Sequence, residues 1–141
     1  MRKRILSILL SVCMALTLLP TVALASPVSY GIWVGATEVT SENMDGVIGD
    51  GIDGTVTYDA SSNTLTLNNA TITKTNNYNF AISSEINGSR DLKINLVGSN
   101  TITVDALTNT IWGVNAICSY AKVSIKGSEG SSLFVSTPLE T

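Results

Sequence analysis

Leu92-Lys93-Ile94-Asn95-Leu96, followed by Thr101-Ile102-Thr103-Val104, is answered further along by Val123-Ser124-Ile125-Lys126 and Leu133-Phe134-Val135. Upstream of these stands a third match, Phe80-Ala81-Ile82 against Trp112-Gly113-Val114. The offset is 31 residues for Leu92 to Val123, Ile94 to Ile125, Ile102 to Leu133 and Val104 to Val135, and 32 for Ile82 to Val114. A self-match at a near-constant period of this size marks stacked architectures, in which one unit cannot bury its own apolar face and needs a neighbour. Three short strands separated by polar turns make each unit, with Ile82, Ile94 and Ile102 pointing inward and Val114, Ile125 and Leu133 stacked on them. The expected fold is all-β, a coil of parallel strands. An antiparallel β-sandwich also has many short strands, but it predicts no 31-residue self-match.

The chain before the repeat carries the same strand signals. Ile32-Trp33-Val34, Thr55-Val56-Thr57-Tyr58, Thr64-Leu65-Thr66-Leu67 and Ala70-Thr71-Ile72-Thr73 alternate with period two and are bounded by Asp, Asn, Ser and Gly, the punctuation of strands. Val56 and Tyr58 answered by Leu65 and Leu67 across Asp59-Ala60-Ser61-Ser62-Asn63 reads as a β-hairpin that closes the first rung of the stack. Asn68 and Asn69 tolerate left-handed backbone and are expected to turn a corner without reversing the chain. No window past the N-terminal segment holds a 3.6-residue apolar period, so almost no helix is expected. The C-terminal residues Ser136-Thr137-Pro138-Leu139-Glu140-Thr141 follow directly on a strand that needs a neighbour. Residues 76–141 therefore read as two coils of an incomplete solenoid, the N-terminal piece of a longer protein.

Met1-Arg2-Lys3-Arg4, an uncharged run from Ile5 to Leu19, Pro20 and then Ala23-Leu24-Ala25 have the layout of a secretory signal peptide over residues 1–25. The apolar run is shorter than the ~20 residues that span a bilayer, and no membrane segment is expected in the mature chain. Residues 26–75 then supply the N-terminal strands and capping hairpin. Three of the eight Lys and Arg fall in the signal segment, whereas all 11 Asp and Glu lie beyond it. So acidic a mature chain excludes nucleic acid as partner, since phosphate binding draws on clustered Lys and Arg; an acidic polymer would need a metal bridge or a local basic patch. With Cys13 in the signal segment, Cys118 is left without a partner and reads as a small buried hydrophobe.

Gly31-Ile32-Trp33-Val34-Gly35-Ala36-Thr37-Glu38-Val39-Thr40-Ser41-Glu42-Asn43, Gly54-Thr55-Val56-Thr57-Tyr58-Asp59 and Asn63-Thr64-Leu65-Thr66-Leu67-Asn68-Asn69-Ala70-Thr71-Ile72 resemble the opening module of secreted and cell-wall proteins of clostridia and related Gram-positive bacteria. The Leu-x-Ile-x-Leu-x-Gly-x-Asn-Thr-Ile pattern from Leu92 to Ile102 is similar to their repeating coils. The resemblance implies a right-handed parallel β-helix, carbohydrate binding without catalysis, a secreted or cell-surface location and further domains downstream. It also brings calcium into view, because the family is related in pattern to a pectin-binding one with calcium sites.

The acidic loop from Asp45 to Gly54, with Asp45, Asp50 and Asp53, is the metal candidate, since calcium takes several carboxylate and carbonyl oxygens on flexible backbone. It lacks the 12-residue ladder of an EF-hand; the alternative is a solvated Gly/Asp turn leading into the Thr55 strand. Sugar binding calls for an exposed aromatic ring beside polar groups. Tyr78 and Tyr120, in polar surroundings, are the candidates, whereas Trp33 and Trp112 are assigned to core packing. Histidine is absent, which removes the usual nucleophile and base pairings, and Glu85, Asp91, Asp105 and Glu129 share no spacing that would pair two carboxylates for sugar cleavage. Two roles follow: a carbohydrate-binding module that takes plant or bacterial polysaccharide, or a structural stalk or adhesin repeat that spaces other domains.

Overall fold

The computed structural model describes residues 25–73, 80–85, 90–104 and 115–136. These form the strands β1 (Ser29–Val34), β2 (Thr37–Thr40), β3 (Ile52–Asp59), β4 (Thr64–Thr73), β5 (Phe80–Ser84), β6 (Leu92–Val97), β7 (Ser99–Thr103), β8 (Asn115–Ser119), β9 (Val123–Gly127) and β10 (Ser132–Ser136), and no helix occurs among them. One sheet runs β2-β1-β5-β8; the other runs β10-β7-β4-β6-β9, with β3 on β4. β1 pairs antiparallel with β2 and β3 with β4, and β1 lies antiparallel on β5. Every other ladder is parallel: β4 with β6 and β7, β5 with β8, β6 with β9, and β7 with β10.

The parallel ladders form successive layers. β4 spans two faces of the first layer, its Leu65 and Leu67 lying opposite Ile94 and Leu96 of β6 and its Ile72 opposite Ile102 of β7. The hairpin strand is thus itself a rung as well as a cover. Between β6 and β9 the register is the one read from the repeat, Leu92 on Val123 and Ile94 on Ile125. The match of Thr101-Ile102-Thr103-Val104 to Leu133-Phe134-Val135 is corrected. Ile102 lies opposite Val135, and Leu133 opposite Asn100, two residues away from the expected pairing. The reason is turn length: Gly98 alone separates β6 from β7, whereas residues 128–131 separate β9 from β10. The match of Phe80-Ala81-Ile82 to Trp112-Gly113-Val114 is corrected too, since Ile82 pairs with Ile117 and Phe80 with Asn115; Val114 and Trp112 lie outside the described residues.

The corner at the middle of β4 shows why one asparagine needs two glycines around it. Asn69 is left-handed, at φ 47°, as expected for an asparagine that bends a strand without ending it. On one side Gly54 of β3 forms a bulge, with the pairing shifting between Asp53 and Thr55, and a Cβ there would run into the Asn69 carbonyl. On the other side a Cβ on Gly98, at φ 66°, would run into the Asn69 side chain. Asn69 Oδ1 accepts from the Ser99 N–H at 3.1 Å. Asn100, 1% exposed, finishes the corner: Oδ1 accepts from the Ala70 N–H at 2.9 Å, and Nδ2 donates to the carbonyls of Val97, Gly98 and Ser132. One buried amide therefore ties three layers. Leaving such a donor or acceptor unsatisfied costs about 1–3 kcal/mol.

Alternation along these strands builds one apolar core. Ile32, Val34, Leu65, Leu67, Ile72, Ile82, Leu92 and Ile102 are fully buried, with Ile94 at 1%, each contributing roughly 1.5–3 kcal/mol by leaving water. The Tyr58 hydroxyl donates to Asn63 Oδ1 at 2.7 Å, and Asn63 Nδ2 donates to the Asp91 carbonyl at 2.8 Å. The hairpin turn is so fastened to the next layer. Outside β3, the Val47 N–H donates to the Val56 carbonyl and the Tyr58 N–H to the Met44 carbonyl, which covers that strand's free edge.

Candidate functional site

Side chains on the outer face of β4, β6 and β9 stand in rows fixed by the ladders. One row runs Asp59, Thr64, Lys93, Ser124; the next runs Thr57, Thr66, Asn95, Lys126. They face outward because alternate positions, Leu65, Leu67, Leu92, Ile94 and Leu96, are held in the core. Thr64, Lys93, Ile94, Asn95, Ser124 and Lys126 line a concavity of about 340 Å³. Hydroxyls, an amide and two ammonium groups converge there, so the surface offers both donors and acceptors. That inventory suits a polyhydroxylated ligand held by many modest hydrogen bonds. Among the described residues the lining contains no carboxylate.

The nearest acidic group in the rows, Asp59, is committed to its own turn. Ser62 Oγ donates to Oδ2 at 2.6 Å, and Ser61 donates to Oδ1 from Oγ at 2.7 Å and from its N–H at 2.9 Å. The Ser62 hydroxyl, then the two Ser61 donors, hold the Asp59 carboxyl down at about 2. It stays ionised, and three donors of the loop take up most of its acceptor sites. Arg90 is also committed, donating from Nη2 to the Ala60 carbonyl at 3.0 Å.

The residues singled out from the sequence do not gather at this concavity. Tyr78 lies outside the described residues. Tyr120 is 78% exposed just beyond β8, its N–H reaching the Ser84 carbonyl at 3.4 Å, and is not part of the lining. Asp45, Asp50 and Asp53 are exposed and are not brought together: among the described residues no group of three or more His, Cys, Asp or Glu side chains is placed to hold a metal ion. The Asp53 carboxylate instead accepts from the Gly54 N–H at 2.9 Å, as in an acidic turn.

Trp33 is corrected as well, being half-buried rather than part of the core. It sits between Glu38 and Ser83 in the β2-β1-β5 ladders and lines a small cleft of about 90 Å³ with Gly35, Phe80, Ser83 and Glu85. Tyr58, by contrast, is buried against Tyr30, with ring centroids 5.1 Å apart. Cys118 is half-buried in β8.

Lys93, Asn95, Ser124 and Lys126 belong to the repeat that identifies the stacking, but apolar matching passes over them. The usable signal is that Lys93-x-Asn95 and Ser124-x-Lys126 recur at the polar positions of a period-two pattern, so they must share one outer face. Comparison with protein-family models, with curated proteins and with solved structures returned no match.

Proposed function

We propose that this chain is a non-catalytic carbohydrate-binding module built on the opening coils of a right-handed parallel β-helix, and that it acts outside the cell, secreted or at the cell surface. The hand follows from the rule that parallel crossover connections are right-handed. Extracellular placement rests on the signal-like segment over residues 1–25.

The observation that carries the binding role is the polar concavity on β4, β6 and β9. Three adjacent strands present Thr64, Lys93, Asn95, Ser124 and Lys126 at the spacing of a parallel ladder, so an extended sugar chain lying across them meets a donor or acceptor at each step. A stalk or adhesin repeat would need no such surface.

A glycan array probed with the purified chain tests the proposal. Retention of at least one polysaccharide, weakened by Asn95→Ala with unchanged strand signal in circular dichroism, is the expected result. No retained glycan across neutral and acidic polymers would instead support the stalk.

A further inference from the structure

The basic residues are distributed unevenly. Residues 25–73 carry Glu38, Glu42, Asp45, Asp50, Asp53 and Asp59 and not one Lys or Arg. The cations of the described residues are Arg90, Lys93, Lys122 and Lys126, all on β6 and β9 or on the turns that lead into them. Among the described residues the cations thus gather, with Asp91 and Glu129 near them in sequence, on the strands and leading turns around the concavity. Two of the four, Lys93 and Lys126, line it.

Neither ammonium is taken up internally: among the described residues, Lys93 and Lys126 form no ion pair and no side-chain hydrogen bond. They lie on neighbouring strands, offset by two residues, because Lys93 is opposite Ser124 and Lys126 opposite Asn95. Strand spacing and rise put their Cα atoms roughly 8 Å apart, within the span of a short oligosaccharide. The groups between and beside them, Thr64, Asn95 and Ser124, are neutral. Asp59 stands at the far end of the Thr64 row, its oxygens occupied by Ser61 and Ser62.

We infer that this concavity selects carboxylate-bearing sugars, a uronic-acid glycan, through direct contact with the Lys93 and Lys126 ammonium groups and without a metal bridge. The inference rests on the carbohydrate-binding reading and specifies its ligand and its mode. Calcium sites are built chiefly on carboxylates, and among the described residues the lining has none. Ammonium groups supply the countercharge directly. Because both are exposed, each contributes modestly and is screened by salt.

The test is affinity electrophoresis or calorimetry of the full chain with a homopolymer of uronic acid and with the same polymer after reduction of its carboxylates to neutral hydroxymethyl groups. Binding of the acidic polymer is expected to survive chelator, to weaken as salt rises, to fall ~3-fold in Lys93→Gln or Lys126→Gln and ~10-fold in the double variant, since each exposed pair is worth under about 1 kcal/mol. The reduced polymer should bind at least as weakly as the double variant binds the acidic one. Equal binding of both polymers would overturn the inference and leave the carbohydrate reading standing; loss of binding in chelator would overturn the metal-free mode. Equal retention of a sulfated dextran would replace carboxylate selection by general attraction to polyanions. Binding of neither polymer, nor of any other glycan, would remove the carbohydrate reading itself.

Discussion

Ile94 and Ile125 occupy equivalent places in successive layers and lie opposite one another in the β6 to β9 ladder, yet Ile94 is 1% exposed and Ile125 46%. The same contrast separates the two ends of the stack. At the N-terminal end β3 and the segment around Val47 close over β4, and Val47, Val56 and Tyr58 are buried. In the last described layer Val135, opposite the fully buried Ile102, is 44% exposed. The chemistry of the side chains barely differs, so burial here is a property of having a layer on both sides. In a stacked fold an apolar residue contributes fully only when its neighbour is present.

Paired substitutions probe this contrast. The largest expected effect is Ile94→Ala, which removes buried methylenes and leaves a cavity; urea unfolding should show a loss of about 3–4 kcal/mol, against less than about 1 for Ile125→Ala. Equal losses would mean that the last layer is covered in solution. Next come two glycines that share a left-handed backbone, Gly98 at φ 66° and Gly130 at φ 77°. A Cβ on Gly98 meets the Asn69 side chain, whereas Gly130 faces open space. Gly98→Ala should therefore cost about 2–3 kcal/mol by backbone strain plus overpacking and Gly130→Ala only about 1, from strain alone.

The smallest effect concerns acid. Asp59, held at about 2 against an ordinary 3.8, is a lowered carboxyl, so the stability it contributes is present above its unfolded value and is lost as pH falls from about 3.8 towards 2. Carboxyl chemical shifts followed by NMR should place its midpoint near 2, and Ser62→Ala should raise that midpoint by removing the hydroxyl bond to Oδ2. A midpoint near 3.8 in the parent chain would show that the Ser61 and Ser62 bonds are not kept in solution.

Much of the stacking was legible because strand periodicity and a repeat depend on local spacing. The Val56-Tyr58 and Leu65-Leu67 hairpin is observed with the expected partners, and Asn69 bends the chain as its side-chain chemistry suggests. Strand β2, over Thr37–Thr40, was not read, since four residues of Thr-Glu-Val-Thr give too short an alternation to stand out. The shift of Ile102 from Leu133 to Val135 was hidden for another reason: apolar positions in a period-two strand match equally well at any even offset, and only the longer turn before β10 chooses between them. The candidate concavity was missed because its residues are polar and ordinary one at a time. Tyr120 and the acidic loop looked more chemical, but neither is drawn into a shared site.

Taken by itself, the sequence determined that the chain is all-β, that its units repeat, which residues of the alternating strands β3, β4 and β6 face inward, and that its positive charge beyond the signal-like segment is scarce. These follow from short-range alternation and composition. The tertiary structure alone decided which residues become neighbours across layers: Lys93 beside Ser124, Lys126 beside Asn95, and Asn100 bonded to Ala70 and Ser132. Registers of that kind are set by turn lengths and by packing between strands some 30 residues apart, where no local pattern constrains the pairing.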